Sequence, residues 1–388
     1  MAIIETLQHD IRLVDVTLRD GEQTAGVVFA RHEKTRIATL LDEIGVPAIE
    51  AGYPALCEHE LETVKAIAEA GLDLEVGAFC RAREEDVEAA ARAGVCSVLI
   101  SISTSDAHLQ RAFGKPREWA LERMSKAARL AKRLGMRFTA SAEDASRTDL
   151  DFLRQYYEQG LAEGADRVRY CDSLGVDHAF GIFDRIKQLK AELTVPIELH
   201  MHNDFGMATA NVMSGLRAGA DGVAVSIAGL GERTGNSSLE EVVMSLKYLY
   251  GRDLCMDTKR FREIVEYVAA ASSRAVPVWK TIVGTNVFAH ESGIHVDGVI
   301  KNPQNYEVFS PEEVGLERQL VVGKHSGSHT ILYKFKEFGI ELSQEESSEI
   351  LTMAREMAVD LKRALFDKEL MYVYRDYQQK KARDARLE

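Results

Sequence analysis

Short apolar runs alternate along this chain with longer stretches whose apolar residues return every three or four positions. The runs are strand-like and cover 13–18, 48–52, 74–79, 97–103, 137–142, 167–171, 196–202 and 222–228. Between them the period is helical; Ile37, Leu40, Leu41 and Ile44 share one face of the first such segment. Gly45, Gly71, Gly94, Gly135, Gly164 and Gly219 close successive periodic segments, where a left-handed cap ends a helix. Strict strand–helix alternation implies parallel strands with right-handed crossovers. Eight such units within about 250 residues match the size of a closed (β/α)8 barrel. The pattern therefore predicts an α/β fold, a TIM barrel over residues 1–265. A doubly wound open sheet is the alternative, but it normally has fewer strands and a glycine-rich first turn, which Asp20-Gly21-Glu22-Gln23 does not supply.

Beyond the barrel the composition turns helical and charged, with an amphipathic stretch over 343–365 and a basic one over 380–386. We divide this part into a linker or lid at 266–330 and a helical C-terminal subdomain at 331–388. The 388 residues, 46% of them hydrophobic, suffice for a large core and an appendage. A net charge of −13 disfavours nucleic acid as a partner, although a local basic pocket for an anionic substrate is compatible with it. Five cysteines without paired spacing read as reduced thiols. Residues 1–12 carry no secretory pattern and no stretch is long enough to span a bilayer, so a cytoplasmic protein is expected.

In a barrel, catalytic groups gather at the C-terminal ends of the strands. Asp20 follows strand one, Glu50 ends strand two, Glu143 follows strand five and Ser173 follows strand six. His200 and His202 end strand seven, two residues apart and thus on one face. Strand eight leads into Gly229-Leu-Gly231-Glu232-Arg233-Thr-Gly235-Asn236. A lone His-x-His is more often two ordinary histidines than a ligand pair, and a single polar rim residue is more often just that. Polar groups at six of the eight strand ends point instead to an active site. Asp20, His200 and His202 form a ligand set for one divalent ion; two imidazoles and a carboxylate suit Zn2+, Mn2+ or Co2+, while Mg2+ prefers oxygen.

The run Leu18-Arg19-Asp20-Gly21-x-Gln23, followed by Lys34, resembles the first signature of the 2-isopropylmalate/homocitrate synthase family, of the DRE-TIM metallolyase type. Ile197-Glu-Leu-His200-Met-His202-Asn-Asp204-Phe-Gly206 is similar to its second, and Gly231-Glu232-Arg233-x-Gly235-Asn236 and His290-Glu-Ser-Gly-Ile-His295 to further blocks. The resemblance implies Claisen-type condensation of acetyl-CoA with a 2-oxo acid, then thioester hydrolysis. It implies His295, Glu143, Tyr306 and Arg19 as catalytic residues, with Arg19, Gln23, Glu50, Ser141, Ser173 and Arg81 at the substrate. Asn236 becomes a further ligand or an outer group beside the metal. It also implies a homodimer in which the segment after the barrel, with His295, closes the partner's mouth. Within the family the likeness is greatest to homocitrate synthases of the nitrogen-fixation type, through aromatic-Cys80-Arg81. The chain stops where 2-isopropylmalate synthases carry a regulatory domain, which favours 2-oxoglutarate as the oxo acid. Phe79 and Thr139 stand where lysine-pathway homocitrate synthases have a histidine and an arginine, so 2-isopropylmalate and citramalate synthases remain alternatives. A lyase of the same fold would carry a cysteine in the loop after strand eight, absent here. A barrel that only senses metal and oxo acid is the non-enzymatic alternative.

Overall fold

Most strands alternate an apolar residue with a small, polar or charged one, and the structure uses both faces. In the computed structural model, which describes residues 6–7 and 9–386, eight strands close into a parallel barrel in sequence order. They are β1 (Arg12–Asp15), β2 (Ala48–Glu50), β3 (Glu75–Arg81), β4 (Ser97–Ser103), β5 (Arg137–Glu143), β6 (Arg167–Asp172), β7 (Ile197–Met201) and β8 (Gly222–Val225). The predicted (β/α)8 barrel is thus the fold. Part of the 1–12 segment read for a leader lies outside the described residues. Among those residues, no helix is long and apolar enough to cross a membrane.

The outward residues of the strands are buried beneath the surrounding helices: Val168, Tyr170, Ile197, Leu199 and Met201 are inaccessible, as are Met124, Leu153, Ile186 and Leu216 of the helices. Each large apolar side chain so buried contributes about 1.5–3 kcal/mol. This is the apolar core, and it lies between barrel and helices. The lumen is different. Arg12, Glu50, Glu75, Arg167, Arg169 and Glu198 surround a small inner cavity of about 30 Å3. Parallel register sets Arg169 beside Glu198 and Cys171 beside His200. The six predicted cap glycines all take positive φ, between 71° and 105°.

Most strand ends fall within two residues of the expected bounds, but β1 and β8 stop three residues short. β1 stops at Asp15 because the amides of Arg19, Asp20 and Gly21 all donate to the Val16 carbonyl, at 3.1, 2.8 and 3.1 Å. This turn lifts Arg19 and Asp20 off the strand line. β8 stops at Val225; Ala228, expected as a strand residue, is left-handed (φ 54°). Its amide donates to Glu240 at 3.0 and 3.1 Å, which holds a conformation alanine rarely adopts.

The chain divides into compact units at Val276/Pro277. The boundary expected after residue 265 falls inside the helix Phe261–Ala271, whose Phe261, Ile264, Val265 and Val268 are buried. Residues from Pro277 onward form one unit, where a division at 330/331 was expected. That unit holds a two-stranded parallel pair, β9 (Ala289–His290) with β10 (Gln319–Leu320). Its helices Ser328–Glu337, Gln344–Leu361 and Asp367–Asp384 enclose Phe335, Ile350, Ala354, Leu370 and Val373. Ser343 caps the middle one, accepting from the Glu346 amide at 3.1 Å while Glu346 returns the bond at 2.9 Å.

Asp15, buried at the end of β1, yields a test of the barrel's packing. Burial pushes its carboxyl up to about 7, against the Thr17 amide and hydroxyl that donate to it, and Glu240 and Glu50 push the same way. The folded chain therefore holds this proton more tightly than the unfolded chain. The carboxyl opposes folding progressively as pH rises from about 4 to about 7, by a few kcal/mol at the top of that window. Asp15→Asn should gain stability relative to the parent above pH 7 and lose that advantage near pH 4. Chemical denaturation at both pH values checks this, and an unchanged difference would contradict it.

Candidate active site

The C-terminal ends of the strands surround a cavity of about 320 Å3. His200 and His202 line it from the end of β7, with rings 5.0 Å apart and nearly perpendicular. Asp20 reaches them from the turn after β1, its Oδ1 3.9 Å from His200 Nε2. One donor atom from each of the three lies within 4.8 Å of the others, and all three residues are buried. Burial is the largest influence on both rings and lowers their pKa, that of His200 well below the usual value, against the pull of Asp20. Both imidazoles are thus neutral at pH 7 and offer lone pairs. Burial alone would raise the Asp20 carboxyl, but Arg19 above all, then His200, His202 and Asn236, hold it well below the carboxylate range. His200 Nδ1, His202 Nδ1 and Asn236 Oδ1 are buried with no hydrogen-bond partner among the described residues. One anionic and two neutral donors, buried around a common point, fit a divalent cation.

The loop after β8 completes this group. Asn236 Nδ2 donates to Asp20 Oδ2 at 2.6 Å. Two glycines make that approach feasible. A side chain on Gly231 would meet Asn236 Nδ2 at 2.4 Å, and one on Gly235 would collide with the Gly229 carbonyl. Arg233 locks the loop from outside, donating to both Asp204 oxygens at 2.8 Å and to the Ser173 carbonyl at 2.7 Å.

Arg19 lines the cavity and donates to Asp20 Oδ1 at 2.7 Å and Glu50 Oε2 at 2.6 Å. Glu50 also contacts Arg169, and Arg169 Nε donates to Glu198 at 2.5 Å. Glu50, expected at the substrate, therefore sits beneath the cavity between two guanidiniums and is absent from its wall. Arg81 departs from expectation too. It grips Asp86 with two bonds of 2.9 Å and lies over the Tyr53 ring, outside the wall. Gln23, Ser141, Ser173 and Glu143 are on the wall as expected.

Several wall residues were not foreseen: Leu99, Ser101, His108, Arg169 and Cys171. Most carry a signal in strand parity. Cys171 pairs with His200 in register, and Arg169 stands two residues earlier on the same face. Burial pushes the Cys171 thiol up to about 12, so it is an uncharged wall group. His108 Nδ1 lies 2.8 Å from Ser103 Oγ and 3.5 Å from the half-exposed Glu143 carboxylate. Nothing in its local sequence marks it, because it stands on the irregular helical turn after β4.

His295 and Tyr306 belong to the second unit. Their rings lie 4.3 Å apart, tilted by 32°, and both side chains are exposed. Gly298 gives the Tyr306 ring its place; a side chain there would meet Tyr306 Cε2 at 2.3 Å.

This geometry agrees with the comparisons. The HMGL-like family model matches residues 10–268, and the model described as homocitrate synthase post-HMGL domain-like matches residues 282–362. The chain is 55% identical to 2-isopropylmalate synthase 2 of Caldanaerobacter subterraneus subsp. tengcongensis, over 94% of this chain and 95% of that one. It is 45% identical to homocitrate synthase 1 of a Nostoc species, over 95% and 98%. The HMG-CoA lyase of Bacillus subtilis superposes with a TM-score of 0.64 at 18% identity, over 70% of this chain and 97% of that one, a likeness of fold. The buried Asp20–His200–His202 trio, the Arg19–Asp20 turn and matches over nearly the whole length lead to one assignment: the chain belongs to the HMGL-like family, in the branch of the 2-isopropylmalate and homocitrate synthases.

Proposed function

We propose that this chain condenses acetyl-CoA with a 2-oxo acid and hydrolyses the resulting thioester, and that Asp20, His200 and His202 hold the divalent ion the reaction uses. The single observation that carries the reading is the buried carboxylate–imidazole–imidazole trio beside Arg19 at one barrel mouth. A divalent ion held there would act as a Lewis acid toward the oxo acid's carbonyl. Arg19, already oriented by Asp20 and Glu50, presents its remaining N–H groups to the carboxylate of the oxo acid and to the charge growing on its carbonyl oxygen. A base removes one proton from the acetyl methyl group; the new carbon–carbon bond forms as the carbonyl π-pair moves to oxygen, which takes a proton. Water then cleaves the thioester, giving a carboxylate and the free thiol of CoA. Glu143, whose carboxylate lies 3.5 Å from His108 Nδ1 on the rim, and the His295–Tyr306 pair are the proton-handling groups in this scheme.

The far wall bears on the choice of oxo acid. Phe79 and Leu99 are apolar, and each cation of the wall has a carboxylate of its own: Arg19 has Glu50, Arg169 has Glu198, Arg233 has Asp204. Arg81, the cation expected to meet a distal carboxylate, is bound to Asp86. This favours an uncharged side chain such as that of 2-oxoisovalerate, whose product is 2-isopropylmalate, and the 55% identical relative bears that name. The second reading is 2-oxoglutarate, giving homocitrate. Supporting it are the hydroxyls of Ser101, Ser141 and Ser173 on the wall and the Nostoc relative.

Three measurements follow. After metal loading and dialysis, the parent should retain about one divalent ion per chain, and His200→Ala should lose most of it while folding normally by circular dichroism; full occupancy in the variant would refute the ligand set. Thiol release from acetyl-CoA, run across 2-oxoisovalerate, 2-oxoglutarate and pyruvate, should favour 2-oxoisovalerate by about a hundredfold in kcat/KM over the dicarboxylate. A preference for 2-oxoglutarate would establish the homocitrate reading instead. If each mouth is closed by the partner's His295 in a homodimer, mixing inactive His295→Ala with inactive His200→Ala subunits should restore activity. Mixed dimers shown to form yet still inactive would refute the exchange.

A further inference from the structure

We infer that the opposite mouth of the barrel, at the N-terminal ends of the strands, binds a small oxyanion, a phosphate or carboxylate group, between Arg12 and Arg167. These residues open β1 and β6 and line a cavity of about 530 Å3, together with Pro47, Pro196, Asp221 and His9. Three acids, Asp10, Glu198 and Asp221, also line it, each already bonded to another cation. Glu75 is shared by three arginines: Arg12 at 2.6 Å, Arg137 at 2.8 Å and Arg167 at 4.0 Å. Arg167 is thus the one left beyond hydrogen-bonding range, and its guanidinium has no hydrogen-bond partner among the described residues. Arg12 Nε is likewise buried without a partner.

The acids nearby are each bonded to another group, although Glu198 also supports the charge on Arg167. Glu198 bonds Arg169 at 2.5 Å, Asp10 bonds Arg252 at 2.6 Å, and Asp221 takes Lys190 at 2.9 Å and the Ile197 amide at 2.8 Å. Asp166 is exposed and accepts from the Phe138 amide at 3.0 Å. Burial disfavours the charge on Arg167 more than any single neighbour supports it. Two guanidiniums facing one cavity, already partly stripped of water and with unused donors, are prepared for a planar or tetrahedral oxyanion. A purely structural ion cluster, the usual content of this barrel face, would instead seat a carboxylate directly on Arg167.

The test uses the whole protein, with inorganic phosphate and malonate as probes, by isothermal titration calorimetry and thermal unfolding at constant ionic strength in chloride. Saturable binding with a rise in Tm is expected for at least one probe, and the tighter of the two names the oxyanion class. Arg167→Met and Arg12→Gln should each weaken it about tenfold or more; should Arg167→Met not fold, Arg12→Gln carries the test. Arg19→Gln, at the other mouth, should leave the affinity within about twofold, the spread of context effects on a distant site. Binding that survives both Arg167→Met and Arg12→Gln, or that vanishes in Arg19→Gln alone, places the anion elsewhere and overturns the inference. So does a salt effect that never saturates.

Discussion

A chain of buried charges of alternating sign, Asp20, Arg19, Glu50, Arg169 and Glu198, runs through the barrel lumen and couples β1, β2, β6 and β7. Stripping each of these groups of water costs several kcal/mol, recovered only because every member has a partner of opposite charge in close contact. Removing one would strand its neighbours, so the chain behaves as a unit. It keeps Asp20 ionised beside two neutral imidazoles and fixes the direction in which Arg19 presents its free donors. The carboxylate–imidazole–imidazole trio is therefore a product of the lumen's electrostatics as much as of its own three residues. That is why a barrel with an apolar jacket has so few apolar groups along this axis.

The fold was legible because two periods, two for strands and 3.6 for helices, switch cleanly along the chain with glycine marking each helix end. Strand ends were less so. The turn on Val16 depends on one carbonyl collecting three amides, and the left-handed Ala228 on a distant glutamate; neither has a local signature. The same logic separates the site residues. His200 and His202 could be paired from sequence because spacing on a strand determines a shared face. Glu50 and Arg81 were placed at the substrate by resemblance, and the partners that turn them away, Arg19 and Arg169 for Glu50 and Asp86 of the following helix for Arg81, are not evident from their own positions. Side chains with long reach have a direction set by their partners, which a pattern of residue types does not encode.

The division of labour among strands has a consequence for how such an enzyme changes over generations. The residues proposed to hold the divalent ion and orient the oxo acid sit at the ends of β1 and β7, whereas Phe79, Leu99 and Ser101, on the far wall, sit on β3 and β4, with Arg19 over the Phe79 ring. Substitutions in that wall alter the shape offered to a substrate tail while leaving the buried ions in place. A duplicated copy of such a gene would begin its divergence with the difficult electrostatics already inherited, and a new chain length or polarity of oxo acid would lie only a few neutral steps away.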